Sequence, residues 1–583
     1  MKILLLHPED AAEGGAWSRE HWDLVVDLGF AGIEAYARYS RTLNSRFLSI
    51  HQFARHPESY RWVNQFLERG RGRLFDRRGL DWWEILANES YQDLHILYLF
   101  RRFQRELRSG RLELAGSRRH RFTRIAEQVF GSPVRYFEGD RAGLFDRSIH
   151  ALRSAIKLEP AQIAEIAFDK WDSDYQVRRH FKKHLRANVE GPCVLLPSAY
   201  SNVTRSVLAY ASQLPDRRFL LLGTRRNAVP KRTPLNVTVC SIAAYVRSKE
   251  TTRAEESALL KGWAEFARRM RAEDEEFLCT ENAGVWNYLP AYLEQGLLLR
   301  DAWSEVLQSE QVTAVLCGDD LNYATRLPLI LAQKEGLNAV YCSHGALDSG
   351  FFFKKPYADS FLVKGDMERD YLERAAAIGR DRILVGAPAN GATVSHWSPS
   401  GEAIVFFSQP YEVIGGRPDA IYRQIIPALY SVATASKRKL VIKLHPFESR
   451  RQRQALLNSI LGDADQHSVE VIGGVPPEQV MSRAWCGVTI NSSVAVECAM
   501  HDIPFFLCGW LDFTGDGYLE QFARYGVADV LQSPEDIHRI PQMVADYRPD
   551  PVRRQRIWQA ADPNQLDAIL FATRQTRVKQ CAC

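Results

Sequence analysis

The sequence predicts an α/β protein built from two parallel sheets in tandem, and three observations predict it. Short apolar runs bounded by turn residues recur along the chain, as buried strands do. Amphipathic helical stretches alternate with most of them, which is the pattern of parallel strands joined by helical crossovers. At 583 residues the chain also exceeds what one core supports, so several units are expected.

The first strand is read at Lys2–Leu6 and a short second one at 23–27. Between them Glu13-Gly-Gly-Ala-Trp17 reads as a loop of the kind that meets ligands in such sheets. From 59 to 188 the pattern is mainly helical and rich in Arg, Trp and Phe, and this stretch is expected to be a helical insertion in the N-terminal half. Alternation resumes with strands at 192–197, 219–222, 237–240, 313–317 and 338–342. A second half is expected to start near Asp359, with strands at 360–363, 383–385, 403–407, 440–444, 469–472, 487–490 and 504–507. The resulting division is an N-terminal unit over 1–355, a C-terminal unit over 356–550 and a helix or tail over 551–583.

Composition narrows the class. Hydrophobic residues make up 46% and charged residues 25%, which excludes disordered and fibrous chains. Seventy-five basic residues face 70 acidic ones, so no nucleic-acid partner is expected. Two Arg-rich stretches, Arg101–Arg108 and Arg118–Arg121, read as solvated helix faces, with a polyanionic acceptor or an anionic membrane surface as the alternative. Ten scattered cysteines without a C-x-x-C pair read as buried reduced thiols. The N-terminal apolar run is too short for a signal peptide, and no apolar stretch approaches the ~18 residues of a membrane span. A cytoplasmic location is expected, with peripheral contact at the inner face of the membrane left open.

Four polar constellations fall at predicted strand ends, where open parallel sheets bind ligands. In Thr489-Ile-Asn-Ser-Ser-Val-Ala-Val-Glu497 a buried strand gives way to a helix start. Asn491, Ser492 and Ser493 suit a phosphate there, and Glu497 one turn on suits a ribose, although plain N-capping explains the same residues. In Lys439-Leu-Val-Ile-Lys-Leu-His-Pro446 an apolar strand delivers Lys443 and His445 to its end, where Pro446 stops it. A cation beside an imidazole donor suits a diphosphate or the single phosphate of a nucleoside monophosphate. Ser408 and Gln409 open a polar loop after a third strand. Asp319, Asp320 and His344 end two consecutive strands of the first half, where a carboxylate serves as base, as nucleophile or as partner to oxocarbenium-like charge. Capping explains the Asp pair equally simply. No Asp-x-Asp of the metal-binding kind occurs in this sheet, so no metal is expected.

Taken in order, His344-Gly345, Phe361-Leu-Val-Lys-Gly365, Gly386-Ala-Pro-Ala-Asn390, Lys443-Leu-His-Pro446 and Asn491-Ser-Ser493 with Glu497 resemble the GT-B clan of bacterial capsule β-Kdo transferases, polysialyltransferases and CDP-glycerol glycerophosphotransferases. The resemblance covers residues 310–510. It implies two Rossmann-like domains facing across a cleft and a nucleotide-activated sugar as substrate rather than any cofactor. It further implies that His445 and Ser492/Ser493 bind the donor phosphate, that Glu497 contacts the nucleotide, and that Asp319 or Asp320 acts at the sugar. A CMP-activated ulosonic acid (Kdo-like) is the donor it favours, with a bacterial surface glycan or glycolipid as acceptor. CDP-glycerol, a UDP- or GDP-sugar, or a non-catalytic binding role are the alternatives. Ala346-Leu-Asp348 stands where the glycerophosphotransferases continue with Thr-Pro-x-Lys, which turns the reading away from CDP-glycerol.

Overall fold

A computed structural model describes residues 1–7, 16–28, 46–54, 58–107, 112–137, 189–225, 228–230, 232–246, 252–344, 356–388, 397–411, 418–445, 448–462, 469–474, 477–511 and 518–571. Its strands form three sheets, all parallel. The first contains β1 (Lys2–Leu6), β2 (Leu24–Asp27), β3 (Arg46–Ser49), β4 (Glu113–Gly116) and β5 (Val134–Tyr136), in the order β3-β2-β1-β4-β5. The second contains β6 (Cys193–Ser198), β7 (Arg218–Gly223), β8 (Val237–Ser241), β9 (Val312–Cys317), β10 (Asn338–Cys342), β11 (Ser360–Val363) and β12 (Ile383–Val385), in the order β12-β11-β10-β9-β6-β7-β8. The third contains β13 (Ala403–Phe407), β14 (Lys439–Lys443), β15 (Val469–Ile472), β16 (Ala484–Thr489), β17 (Phe505–Cys508) and β18 (Asp529–Leu531), in the order β15-β14-β13-β16-β17-β18.

The α/β class is therefore as expected, but two readings need correction. The stretch expected to be a helical insertion contributes β4 and β5 to a sheet of its own with β1 to β3. These two strands span four and three residues, too short to carry a readable alternation beside the long helices at Glu58–Gly70 and Tyr91–Glu106. Likewise β11, read as the start of the second half, pairs with β10, and β12 pairs with β11. An apolar run shows that a strand is buried but not which neighbour it hydrogen-bonds. The Gly-Gly loop after β1 lies outside the described residues.

In each sheet the earliest strand lies inside, its first successors add on one side, and the later strands start again on the other. The order thus reverses between β1 and β4, between β6 and β9, and between β13 and β16. Such reversal splays the connections apart and opens a crevice at the carboxyl ends of the two central strands. This topology fixes where sites can form.

The first sheet docks on the second through the helices Arg253–Glu273 and Leu289–Ser309. Phe66, Trp83, Phe266, Phe277 and Trp286 pack ring against ring at this junction, with Trp83 and Phe266 centroids 4.9 Å apart. Arg300, buried, holds the carboxylates of Asp76 at 2.7 Å and Glu255 at 2.6 Å. Eight cysteines are described, and all are buried and unbridged. No helix among the described residues is long and apolar enough to cross a membrane.

The chain ends by crossing back to the second sheet. Gln559 donates its amide to the Lys364 carbonyl at 2.7 Å, Ala387 donates to Gln559 at 2.7 Å, and Leu566, Ile569 and Leu570 pack beneath that sheet. Gly365 is required by this return, because a Cβ there would collide with the backbone carbonyls of Arg556 and Ile557. Gly386 leaves similar room for Ala561. Gly365→Ala is expected to lower the unfolding free energy by about 1–3 kcal/mol in urea denaturation; an unchanged midpoint would show that the return segment is not held there.

Candidate functional site

At the crevice of the third sheet, β13 runs into Ser408-Gln409 and β16 into Ile490-Asn491-Ser492-Ser493. The Thr489 hydroxyl donates to the Phe407 carbonyl at 2.7 Å and pins the two strand ends together. Gln409 Oε1 and Asn491 Oδ1 are buried and lack a hydrogen-bond partner among the described residues. A buried amide oxygen without a donor costs about 1–3 kcal/mol. Both lie at one topological crevice.

Ser492 Oγ accepts from the Val494 amide at 3.3 Å, so this serine caps the short helix Val494–Met500. Ser493 makes no side-chain cap. The capping explanation thus accounts for Ser492 and leaves Asn491 and Ser493 uncommitted. Glu497, on the same helix, is 29% exposed, and its carboxylate lies 3.9 Å from Arg205. Arg205 belongs to the helix Ser201–Ala211 that follows β6. The helices that follow β6 and β16 therefore approach each other through this ion pair.

The neighbouring strand β14 presents Lys443 and His445. Lys443 is buried and donates to the Leu444 carbonyl at 2.7 Å. Burial, followed by the charge of Lys443, holds the His445 imidazole down to about 4, so it is neutral near pH 7 and offers one donor and one acceptor. Pro446 lies outside the described residues. Ser408 is turned away from the crevice, its hydroxyl 2.7 Å from Glu448 and 2.8 Å from Tyr422.

Glu448 was not legible as a functional residue, yet it organises this edge. One oxygen takes the His445 amide at 2.7 Å; the other takes Ser408 and the guanidinium of Arg453, each at 2.7 Å. Its side chain is fully covered, and burial raises its pKa against the opposing pull of Arg453. A single carboxylate thereby fixes the loop after β14 to the end of β13. Glu448 stands three residues beyond His445, where no motif marks it.

At the crevice of the second sheet, β9 delivers Asp319 and Asp320, 6% and 2% exposed. Asp319 Oδ1 accepts the Leu321 amide at 3.0 Å, and the Arg326 guanidinium donates to the Asp320 carbonyl at 2.7 Å. His344, after β10, places Nδ1 2.6 Å from the Gly318 carbonyl. A carbonyl only accepts, so Nδ1 carries the proton and Nε2 is left as the second contact point.

Glu89 joins this group from the distant turn Ala87–Ser90, and it too was missed. Its carboxylate takes the Tyr323 amide at 3.1 Å and lies 3.6 Å from Arg326, with a quarter of the side chain exposed (25%). Burial raises its pKa, Arg326 and the Tyr323 amide oppose that rise, and the charge of Asp319 adds to it. Tyr292 and Tyr323 pack at 5.1 Å beside it, and Arg225 lies over the Tyr200 ring at 4.9 Å. A carboxyl whose pKa burial raises, within reach of the Asp319 charge, is suited to moving a proton. Nothing near Glu89 in sequence could have shown this, because 230 residues separate it from Asp319.

No family model and no curated protein matches the chain. Among solved structures, the UDP-GlcNAc 2-epimerase from Methanocaldococcus jannaschii is similar at 10% identity and a TM-score of 0.40, over 67% of this chain and 99% of that one. The UDP-GlcNAc 2-epimerase from Neisseria meningitidis bound to UDP-GlcNAc gives 11% and 0.37, over 67% and 99%. A spinosyn rhamnosyltransferase complexed with thymidine diphosphate gives 12% and 0.36, over 67% and 100%.

Proposed function

We propose that the chain is a metal-independent glycosyltransferase that takes a sugar from a nucleotide donor bound at the third sheet and passes it to an acceptor held at the second. The observation that supports this reading is the 3.9 Å contact of Arg205 and Glu497, which joins the helices that follow the central strands of the second and third sheets. One crevice offers amide oxygens, a serine hydroxyl, Lys443 and a neutral imidazole to a nucleotide and its phosphate. The other offers Asp319, Asp320, Glu89 and His344 to the reacting sugar.

In this mechanism His445 and Ser493 hydrogen-bond the donor phosphate, with Lys443 adding charge beneath the loop. Asn491 and Gln409 accept from the base or ribose. Asp319 or Asp320 stabilises positive charge developing at the anomeric carbon, and Glu89 takes the proton of the attacking hydroxyl. A leaving group with a single phosphate fits one neutral imidazole and one buried lysine, so the donor proposed is a CMP-activated ulosonic acid of the Kdo kind. The product would be a bacterial surface polysaccharide or glycolipid, made in the cytoplasm with peripheral contact at the inner membrane.

A thermal-shift screen over CMP, CDP, UDP and GDP, with and without EDTA, tests the reading. A ligand at 100 times its Kd stabilises by about 2.7 kcal/mol. CMP is expected to stabilise the chain regardless of EDTA, and Asn491→Ala to abolish the effect. Stabilisation by CDP alone would favour a glycerophosphotransferase, and by UDP or GDP another sugar. If no nucleotide shifts the transition, the catalytic reading fails in favour of a binding or scaffold role.

A further inference from the structure

The first sheet repeats the strand order of the other two, yet the transfer reaction proposed above uses none of its residues. Its order reverses between β1 and β4, so its crevice opens beyond Leu6 and Gly116. Polar groups gather there. The His7 amide donates to the buried Ser117 hydroxyl at 2.8 Å, joining the two strand ends. The rings of His7 and His120 lie 4.8 Å apart. Arg118 and Arg119 occupy the connection between Ser117 and His120, and Arg121 and Arg124 follow on the first turn of the helix Arg121–Phe130.

The charge here differs from that of the other Arg-rich stretch. Arg101 is met by Glu275 at 2.9 Å and Glu276 at 3.0 Å, and Arg102 by Glu58 at 3.1 Å. Around His120, Arg121 is paired, with Asp93 at 3.0 Å. Arg119 lies over the Tyr136 ring at 5.2 Å, and neither it nor Arg124 has a carboxylate partner among the described residues. Arg124 Nε is buried without a hydrogen bond. Two carboxylates nearby are engaged: Glu127 accepts the Val134 amide at 3.4 Å and Glu20 pairs with Arg135, while Asp27, which ends β2 opposite Leu6, is fully buried. Burial and then the charges of His7, Arg121, Arg118 and Arg124 hold His120 down to about 4. Arg118, Arg121 and Arg124 lie close enough to His120 for their charges to oppose its protonation, beside the imidazole pair at the sheet crevice.

We propose that the β1/β4 crevice of the first sheet, with His7, Ser117, Arg119, His120 and Arg124, is a second ligand site that binds a small phosphate dianion, free or as the phosphomonoester of a soluble metabolite. Guanidinium and imidazole donors recognise such a dianion by charge-assisted hydrogen bonds. The site is independent of the donor crevice and does not rest on the glycosyltransferase reading.

Calorimetric titration of the full chain with inorganic phosphate and with ribose 5-phosphate tests it. Saturable binding is expected, weakened about tenfold or more by Arg119→Ser and by His7→Asn, with circular dichroism showing both variants folded. His445→Asn, in the third sheet, should leave it unchanged. In the histidine proton spectrum, bound phosphate should raise the titration midpoint of His120, because a dianion favours its charged form. No binding up to about 10 mM of either probe would overturn the proposal. So would binding lost in His445→Asn but kept in Arg119→Ser, or binding only to vesicles carrying phosphatidic acid.

Discussion

Arg453→Ala should lower the unfolding free energy by about 3–5 kcal/mol and abolish nucleotide binding, one of the largest effects expected of a single substitution here. Arg453 is 4% exposed and Glu448 not at all, so removing the guanidinium leaves a buried carboxylate without its cation. That carboxylate also holds the His445 amide and the Ser408 hydroxyl. Its neutralisation or displacement releases the loop after β14 from the end of β13. Urea denaturation measures the first effect and nucleotide-induced thermal shift the second. Arg453→Lys keeps the charge but not the directional Nε contact, and should recover part of the stability. A variant that loses stability yet still binds nucleotide would show that the clamp supports the fold but not the site.

Acid should destabilise the first sheet's helical layer through His51 and His95. Burial holds His51 down to about 3 and His95 to about 4, with the charge of His95 adding to the effect on His51. Their rings lie 6.4 Å apart within that layer. Both folded-state values lie below the unfolded value near 6.5, so the unfolded chain binds protons first. The stability they support is fully present above pH 6.5 and is lost as pH falls through the two folded values. Between pH 6.5 and 4.5 each histidine should cost roughly 2 kcal/mol, so roughly 4 kcal/mol together. Asp93, pushed up to about 6 chiefly by burial, works in the opposite sense below pH 6. The comparison that isolates the histidines is therefore the pH slope of the native chain against that of His51→Gln/His95→Gln. The double variant should lose markedly less stability on acidification; parallel slopes would sink the assignment.

How much was legible follows from the range of each interaction. Asn491, Ser493, Gln409 and His445 were readable because a strand end followed by polar residues is a local pattern, and the structure brings all of them to one sheet edge. Asp319, Asp320 and His344 were readable for the same reason, and they end adjacent strands of the second sheet. Ser408 fits the same local pattern, yet its hydroxyl is turned to Glu448 beneath the edge. The resemblance of the ordered motifs fell on glycines as well as on chemistry. Gly365 and Gly386 now have a steric cause in the returning C-terminal segment.

The sequence by itself determined that the chain is α/β, where most strands lie and which of their ends are polar, because alternation and turn residues act within a few positions. Only the tertiary structure decided that the described strands form three sheets rather than two, that β11 and β12 join the second, and that Glu89 and Glu448 belong to the candidate site. Strand partnership and the approach of Glu89 to Asp319 depend on contacts between residues far apart in the chain, which no local pattern encodes. The same holds for charge: Arg101 and Arg119 are alike in sequence, and only the folded neighbours show that one is neutralised by carboxylates while the other lies over an aromatic ring.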